Sequence, residues 1–352
     1  MKKNHTGSIE MHILVIRTSA MGDVALSVPV IGSLRVQHPG INVTLLTRSV
    51  FRPFFNSIPF LNILDARFDG VHKGFSGLIR LYRDCARAGD YDYIIDLHDV
   101  LRTKILRCLF RLSGKRTFVI DKGRAEKRKL IRGKNKSQLK HTVERYLDVF
   151  SRAGIEIDPL IRKGILPAPA AGEKIAGIID NSGVMNIGIA PYAKHPLKVW
   201  PEEYVLQLAE MISRKLHVKF WIFGGRDEYD RLSVLQSAIP GSYLAAADLS
   251  LDEQLALMSR LDLMISMDSA NMHMASLSGA RVISVWGATD PLAGFGAWNQ
   301  PGEFSMRIPV NELTCRPCSI YGKGKCRRGD FACMTWLRPE MIFNRLIELG
   351  IL

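Results

Sequence analysis

Short apolar runs alternate with stretches of helical spacing along most of this chain, the pattern of parallel strands joined by crossover helices. Ile13–Arg17, Val43–Arg48, Tyr91–Leu97 and Thr117–Ile120 read as strands, with helices predicted at Val24–Gln37, Phe75–Ala88, Val100–Leu112 and Leu139–Ala153. The stretch Leu166-Pro-Ala-Pro-Ala-Ala-Gly172 then breaks the pattern and is predicted as a linker. A second series follows, with strands at Asn186–Ala190, Val218–Phe223, Leu261–Ser266 and Val282–Trp286. Its helices are expected at Glu202–Lys215, Asp227–Ala238, Leu251–Met258, Asn271–Leu277 and, amphipathic, Leu337–Leu349. At 352 residues the chain exceeds what one core usually serves, so the expected fold is α/β with two Rossmann-like domains, 1–170 and 171–352.

Apolar residues make up 47% and charged residues 23%, a balance that builds packed cores and excludes a disordered chain. No apolar run approaches the ~20 residues of a membrane-spanning helix, and the polar start Met1–Glu10 is unlike a signal peptide, so export is not expected. The net charge of +14 is concentrated. Between Arg102 and Lys140, fifteen Lys or Arg stand against only Asp121 and Glu126, which places +13 in one segment. Such a block either attracts phosphate-rich partners or is a solvated face.

Ligands of open α/β sheets gather at the carboxyl ends of strands. At the first such end, Arg17-Thr-Ser-Ala-Met-Gly-Asp23, Asp23 is either a general base or a helix cap. In the second series Ile189-Ala-Pro-Tyr-Ala-Lys-His-Pro-Leu-Lys198 leads to a helix start marked by Pro201, where Lys198 or Lys194 can hold a diphosphate together with backbone N–H donors. Phe223-Gly-Gly-Arg-Asp-Glu228 suits a tight turn from which Glu228 can accept hydrogen bonds of ribose hydroxyls. The strongest local signal is Ile265-Ser-Met-Asp268-Ser269-Ala270-Asn271-Met-His273. There a strand ends at Asp268, a helix begins near Asn271 with its donors turned to any phosphate, and His273 lies in the first turn.

In their order and spacing these pieces resemble the lipopolysaccharide heptosyltransferases, family 9 glycosyltransferases of GT-B architecture. The resemblance runs from Ile13 to about Pro291 and rests on Thr18-Ser-Ala-Met-Gly-Asp23, Tyr91-Asp-Tyr-Ile-Ile-Asp96, Lys198-x-Trp-Pro201, Ser266-Met-Asp268-Ser269 through His273, and Trp286-Gly-Ala-Thr-Asp-Pro291. It implies two parallel-sheet domains facing across a cleft, the first binding the acceptor and the second the nucleotide-sugar donor. It further implies ADP-heptose as donor, an anionic glycolipid of the lipopolysaccharide inner core as acceptor, inversion, no cofactor for catalysis, and a cytoplasmic enzyme peripheral on the inner membrane. By the resemblance Asp23 is the catalytic base and Lys198 holds the donor diphosphate. Asp268, Ser269 and His273 match the phosphate and sugar loop, Glu228 takes the ribose and Leu249 contacts adenine. Arg124, Lys127, Arg128, Lys129 and Arg132 of the basic block, with His141 opening His-Thr-Val-Glu-Arg-Tyr, are assigned to the acceptor side. Ala193, Lys194 and Ala270 fall within the donor loops but depart from the family pattern, which often has Thr or Ser facing the phosphates and Gly after Asp-Ser or Asp-Thr. That leaves the base and the sugar open.

Four of the six cysteines crowd into Cys315-x2-Cys318-x7-Cys326-x6-Cys333, unlike the spread of a disulfide scaffold and in keeping with a reducing compartment. Four thiolates so placed either close a structural zinc site or remain reduced thiols. Two rival readings are a sugar-nucleotide epimerase of the same architecture and a nucleic-acid-binding protein with a zinc ribbon. Nucleic acid is disfavoured as a partner because the basic block offers only Phe110 and Phe118 for base stacking.

Overall fold

In the computed structural model the two series of strands form two separate sheets; residues 2–3, 9–134, 136–159, 164–179 and 183–352 are described. Numbered in chain order, the first sheet holds β1 (Lys2–Lys3), β2 (Ile9–Ile16), β3 (Ile41–Thr47), β4 (Leu61–Asp65), β5 (Tyr93–Asp96) and β6 (Arg116–Val119). It runs β4-β3-β2-β5-β6, all parallel, with β1 antiparallel on β2. The second holds β7 (Met185–Ala190), β8 (Val218–Ile222), β9 (Tyr243–Leu244), β10 (Leu263–Met267), β11 (Val282–Val285) and β12 (Ser305–Met306). Its order is β12-β11-β10-β7-β8-β9, parallel throughout. Central strands are covered on both faces, which is why Ile13–Ile16 and Leu263–Met267 are apolar runs without alternation and are buried along their length.

The helices are α1 (Met21–Ala25), α2 (Val28–Gln37), α3 (Gly74–Ala88), α4 (Leu101–Leu112), α5 (Arg124–Ile131), α6 (Thr142–Arg152), α7 (Pro169–Ala176), α8 (Glu202–Lys215), α9 (Tyr229–Ala238), α10 (Ala245–Asp248), α11 (Leu251–Met258), α12 (Ala270–Ser278), α13 (Ala332–Thr335) and α14 (Pro339–Glu348). None of them is long and apolar enough to cross a membrane among the described residues.

The topology selects the functional loops. In the first sheet the strand order reverses beside β2, whose neighbours are β3 and β5; in the second it reverses beside β7, between β8 and β10. Such a reversal opens a crevice at the carboxyl ends of the strands it separates. The loops after β2 and β5, and after β7 and β10, are therefore the places where each sheet can take a ligand.

Three local expectations differ from the structure, each through proline or charge. The single helix predicted over Val24–Gln37 is two, α1 and α2, because Pro29 has no N–H to donate and is accommodated in the first turn of a new helix. The predicted linker at Leu166–Gly172 is cut short by α7, which starts on Pro169, since a proline that breaks a helix interior is well suited to a helix start. The basic block contains the amphipathic helix α5, whose Leu130 is buried although the segment reads as polar. Strand β4 was not predicted; it is short, and none of its residues is fully buried.

The chain forms two compact units: Met1–Lys122 with Thr142–Ile165, and Gly123–His141 with Leu166–Leu352. The stretch 123–141 thus packs with the second unit although it lies in the first half of the sequence. The last helix, α14, packs on α8 and belongs to the second unit as well.

Candidate active site

In the first unit, Asp23 lies inside α1 and does not cap it; Ala20 is the N-cap. Its carboxylate is gripped by Arg17 at 2.5 Å, with the arginine side chain 5% exposed and the aspartate 35% exposed, so the acid reaches solvent while its partner does not. Arg17 also donates to Leu97 O at 2.6 Å and lies over the Tyr146 ring, and the Tyr146 hydroxyl donates to Asp23 O at 3.0 Å. The loop between them is pinned by His98 from the end of β5, whose ring nitrogens meet Thr18 Oγ1 at 3.1 Å and Ser19 Oγ at 3.2 Å. Burial first, then the nearby charge of Arg17 and Lys122, pushes the His98 imidazole down to about 3, which keeps it neutral at physiological pH. Asp96 underlies this arrangement. It accepts the backbone N–H groups of His98 and Asp99 at 2.8 and 3.0 Å and pairs with Arg107 at 3.2 Å.

In the second unit, Lys198 ends a short 3-10 turn, Pro196–Lys198, after β7. Its Nζ lies 2.8 Å from Asp268 Oδ2 and donates to Asp268 O at 3.3 Å. Thr289 Oγ1 donates to the same Oδ2 at 2.8 Å, so one carboxylate at the end of β10 gathers two loops. Ser269 is the N-cap of α12 and makes no side-chain capping bond, which leaves the first-turn N–H groups of α12 to be satisfied from outside. His273 is buried in that helix.

Glu228 turns back on its own loop, where Oε2 accepts Gly225 N at 2.8 Å. Leu249, at the end of α10, is buried; Ala193, Ser269 and Ala270 are half-buried and Lys194 is exposed. His195, beside Lys198, is lowered from its ordinary value by burial and by the surrounding lysines.

The loops of the second unit lie within the span of a known family model. Glycosyltransferase family 9 (heptosyltransferase) matches residues 80–320, well over half of the chain. The chain belongs to glycosyltransferase family 9. Lipopolysaccharide heptosyltransferase 3 of Escherichia coli is 26% identical over 286 residues, 76% of this chain and 81% of that protein. Among solved structures, the family 9 glycosyl transferase of Veillonella parvula superposes with a TM-score of 0.74 at 19% identity, covering 97% of each chain. E. coli ADP-heptose LPS heptosyltransferase II gives a TM-score of 0.68 at 16% identity, over 96% of this chain and 98% of that one. At these identities the superpositions speak for the fold, the GT-B architecture of two Rossmann-like units. The protein is a glycosyltransferase, and neither the epimerase nor the zinc-ribbon reading is favoured.

Family membership leaves the basic segment and the cysteines to be placed. On α5 and just after it, Arg124, Arg128, Lys129 and Arg132 are exposed, whereas Lys127 is buried with its ammonium 4.0 Å from the Phe295 ring centroid. His141 donates from Nε2 to Gly296 O at 2.9 Å and lies against Trp298. Lys127 and His141 are thus packing residues of the second unit in this structure, unlike the four exposed arginines and lysines.

Cys315, Cys318, Cys326 and Cys333 line one cavity together with Leu197 and Ala288. Burial raises the Cys333 thiol to about 12 and lifts Cys318 in the same direction. Among the described residues no three His, Cys, Asp or Glu side chains are placed to hold a metal ion.

His98 gave no sequence signal of its own, because it acts through a partner 80 positions away, as the Thr18–His98 contact shows. Arg17 and Thr289 lay inside quoted motifs without being singled out. Arg316, fully buried, pairs with Asp290 at 3.5 Å, and only its place beside Cys315 marked it.

Proposed function

We propose that this family 9 glycosyltransferase moves a heptose from ADP-heptose to an anionic glycolipid, the lipopolysaccharide inner core, with inversion at the anomeric carbon. The observation that carries the reading is the pair of opposite charges offered at strand ends: the solvent-reaching carboxylate of Asp23, and the Lys198 ammonium in the unit that also holds the uncapped start of α12. The printed names of the E. coli relatives support the same donor and acceptor class.

Asp23 takes the proton of an acceptor hydroxyl while that oxygen bonds to the anomeric carbon; the bond from the carbon to the diphosphate oxygen breaks, and ADP departs with the electron pair. A lysine ammonium has three donors, and two of those of Lys198 are accounted for by Asp268 Oδ2 and O. The third, with the first N–H groups of α12, meets the charge that grows on the leaving diphosphate. These groups supply the stabilisation without a catalytic cofactor. Glu228 meets the ribose with the oxygen its own turn does not engage, Leu249 borders the adenine, and Ala193, Lys194, Ser269, Ala270 and His273 line the phosphates and sugar.

A thermal-shift series with ADP-, UDP- and GDP-sugars tests the donor. A ligand at about a hundred times its Kd adds about 2.7 kcal/mol to stability, and the ADP-sugar is expected to stabilise most; a UDP- or GDP-sugar in its place overturns the adenine assignment. On the acceptor side, Arg124, Arg128, Lys129 and Arg132 draw the enzyme to the anionic inner face of the membrane. Binding to anionic vesicles that is equal at low and high salt removes that role. A structural zinc is the finer reading of the cysteines: four thiols on one cavity support it, their placement argues against it, and stoichiometric zinc in protein purified without chelator decides it.

A further inference from the structure

We infer that the turn Ser319–Gly322 is a positioning device for Lys198 and that Gly322 is the residue through which it acts; the inference rests on the role proposed above for Lys198. The turn belongs to the cysteine-bearing segment, which is stitched to the loop that follows β11. Arg316 donates to Gly287 O at 2.7 Å, Thr289 O at 3.0 Å and Trp286 O at 3.2 Å, and also to Ile308 O. The N–H groups of Cys318 and Ser319 both donate to Ala288 O, at 3.0 and 3.1 Å. The same loop holds the lysine from its other side, because Ala288 N donates to Leu197 O at 3.1 Å and Thr289 fixes Asp268.

The turn then closes on itself, with Gly322 N donating to Ser319 Oγ at 3.0 Å. Gly322 has φ +75°, and a Cβ built there would fall 2.6 Å from Lys198 Cγ, 3.0 Å from Cε and 3.2 Å from Cδ. The bare α-carbon therefore lies flat against the methylene stem of the lysine, while Asp268 anchors its head. A lysine stem has several rotatable bonds and loses much of its aim unless it is walled in. Here one wall is glycine backbone, so close that a side chain there pushes the lysine stem aside. A displacement of about 1 Å in a group that meets a reacting atom costs roughly a hundredfold in rate, which makes this contact part of how Lys198 works.

The same segment supplies its own control. Gly324 also has a left-handed backbone, φ +100°, and a Cβ there would meet nothing within 4 Å. Asparagine adopts this backbone region more readily than other residues and still carries a Cβ. Steady-state kinetics and melting temperatures are compared for Gly322→Asn and Gly324→Asn, each with and without Lys198→Ala.

The expected result is a kcat for Gly322→Asn about tenfold to a hundredfold lower at a melting temperature equal to that of Gly324→Asn, which keeps its kcat within about twofold of the parent. In the Lys198→Ala background, Gly322→Asn costs nothing further. Equal losses for both glycine variants, or a loss that persists without the lysine, overturn the inference while leaving the role of Lys198 intact. A near-normal rate for Lys198→Ala alone overturns the underlying role and the inference with it. Should Gly322→Asn not fold, Ser319→Ala removes only the hydroxyl that closes the turn, and the same dependence on Lys198 is required of its smaller loss in kcat.

Discussion

The Arg17–Asp23 and Lys198–Asp268 pairs have the same chemistry and opposite polarity. In the first the arginine side chain is sunk, 5% exposed, and the aspartate is 35% exposed; in the second the aspartate side chain is 7% exposed and the lysine side chain 15%. Each sheet thus uses one charge as a root and shows the other. In the proposed mechanism the first unit presents an acceptor of protons and the second a donor to phosphate, the opposite groups that the two halves of an inverting displacement need. A salt bridge alone does not distinguish its partners, and the proposal assigns the reactive role to the more exposed one of each pair.

The comparison breaks most readily at the exposed members. Asp23→Asn is expected to lower kcat by about 10²–10⁴-fold while the affinity for ADP, measured by calorimetry, stays near that of the parent; a near-normal kcat would remove the acid from the mechanism. Lys198→Ala is expected to cost about 10²–10³-fold, with weakened ADP binding as well, because the lysine meets the donor in both the bound and the reacting state. If ADP binds the variant as tightly as the parent, the lysine is not on the diphosphate.

The rooted members should behave differently. Arg17→Met leaves Leu97 O without its buried donor and is expected to destabilise the fold by about 1–3 kcal/mol in urea unfolding. Asp268→Asn leaves Lys198 and Thr289 without their charged acceptor and should cost a similar amount. If either variant unfolds at the parent's midpoint, its side chain is not the root of its pair.

The response to acid tests the loop that carries Asp23. His98 is held neutral with its pKa depressed to about 3 from an ordinary value of 6.5. Its contribution to stability is therefore complete above pH 6.5 and is lost as the pH falls from there towards 3, because the unfolded chain takes up the proton first. The loss should amount to a few kcal/mol at most, and His98→Gln should flatten it in unfolding curves between pH 6.5 and 4. His195, only half-buried, is lowered as well, and its replacement should change the profile less. A profile unaltered by His98→Gln would show that the acid response comes from elsewhere.

What could be read from the sequence follows from where each signal is stored. Ile13–Ile16 and Leu263–Met267 are buried on both faces, so their apolar runs announced strands, and Asp23, Lys198 and Asp268 were legible because each follows such a run. The pairing of Arg17 with Asp23 lay inside a motif already singled out, yet nothing in a sequence says which charge will be covered. His98, and the bond of Thr289 to Asp268, were invisible because the partners arrive through sheet order, which the one-dimensional pattern does not carry. Pro169 misled because proline both ends and begins helices, and only the packing of α7 on α11 decides between the two uses. Lys127 was grouped with its exposed neighbours by composition, although the face of α5 it occupies is turned to Phe295.

Residues 123–141 have a consequence for how the protein can be assembled and dissected. The polypeptide crosses from one unit to the other three times, after Lys122, His141 and Ile165. Leu130 and Leu139 complete a small apolar cluster around Ala293, and Leu139 N donates to Leu292 O at 2.9 Å. A fragment beginning at residue 166 would be born with that cluster open, and during synthesis the segment must wait for a surface translated well over a hundred residues later. Expressing the halves separately, or swapping them between relatives, succeeds only if this piece travels with the half it packs on.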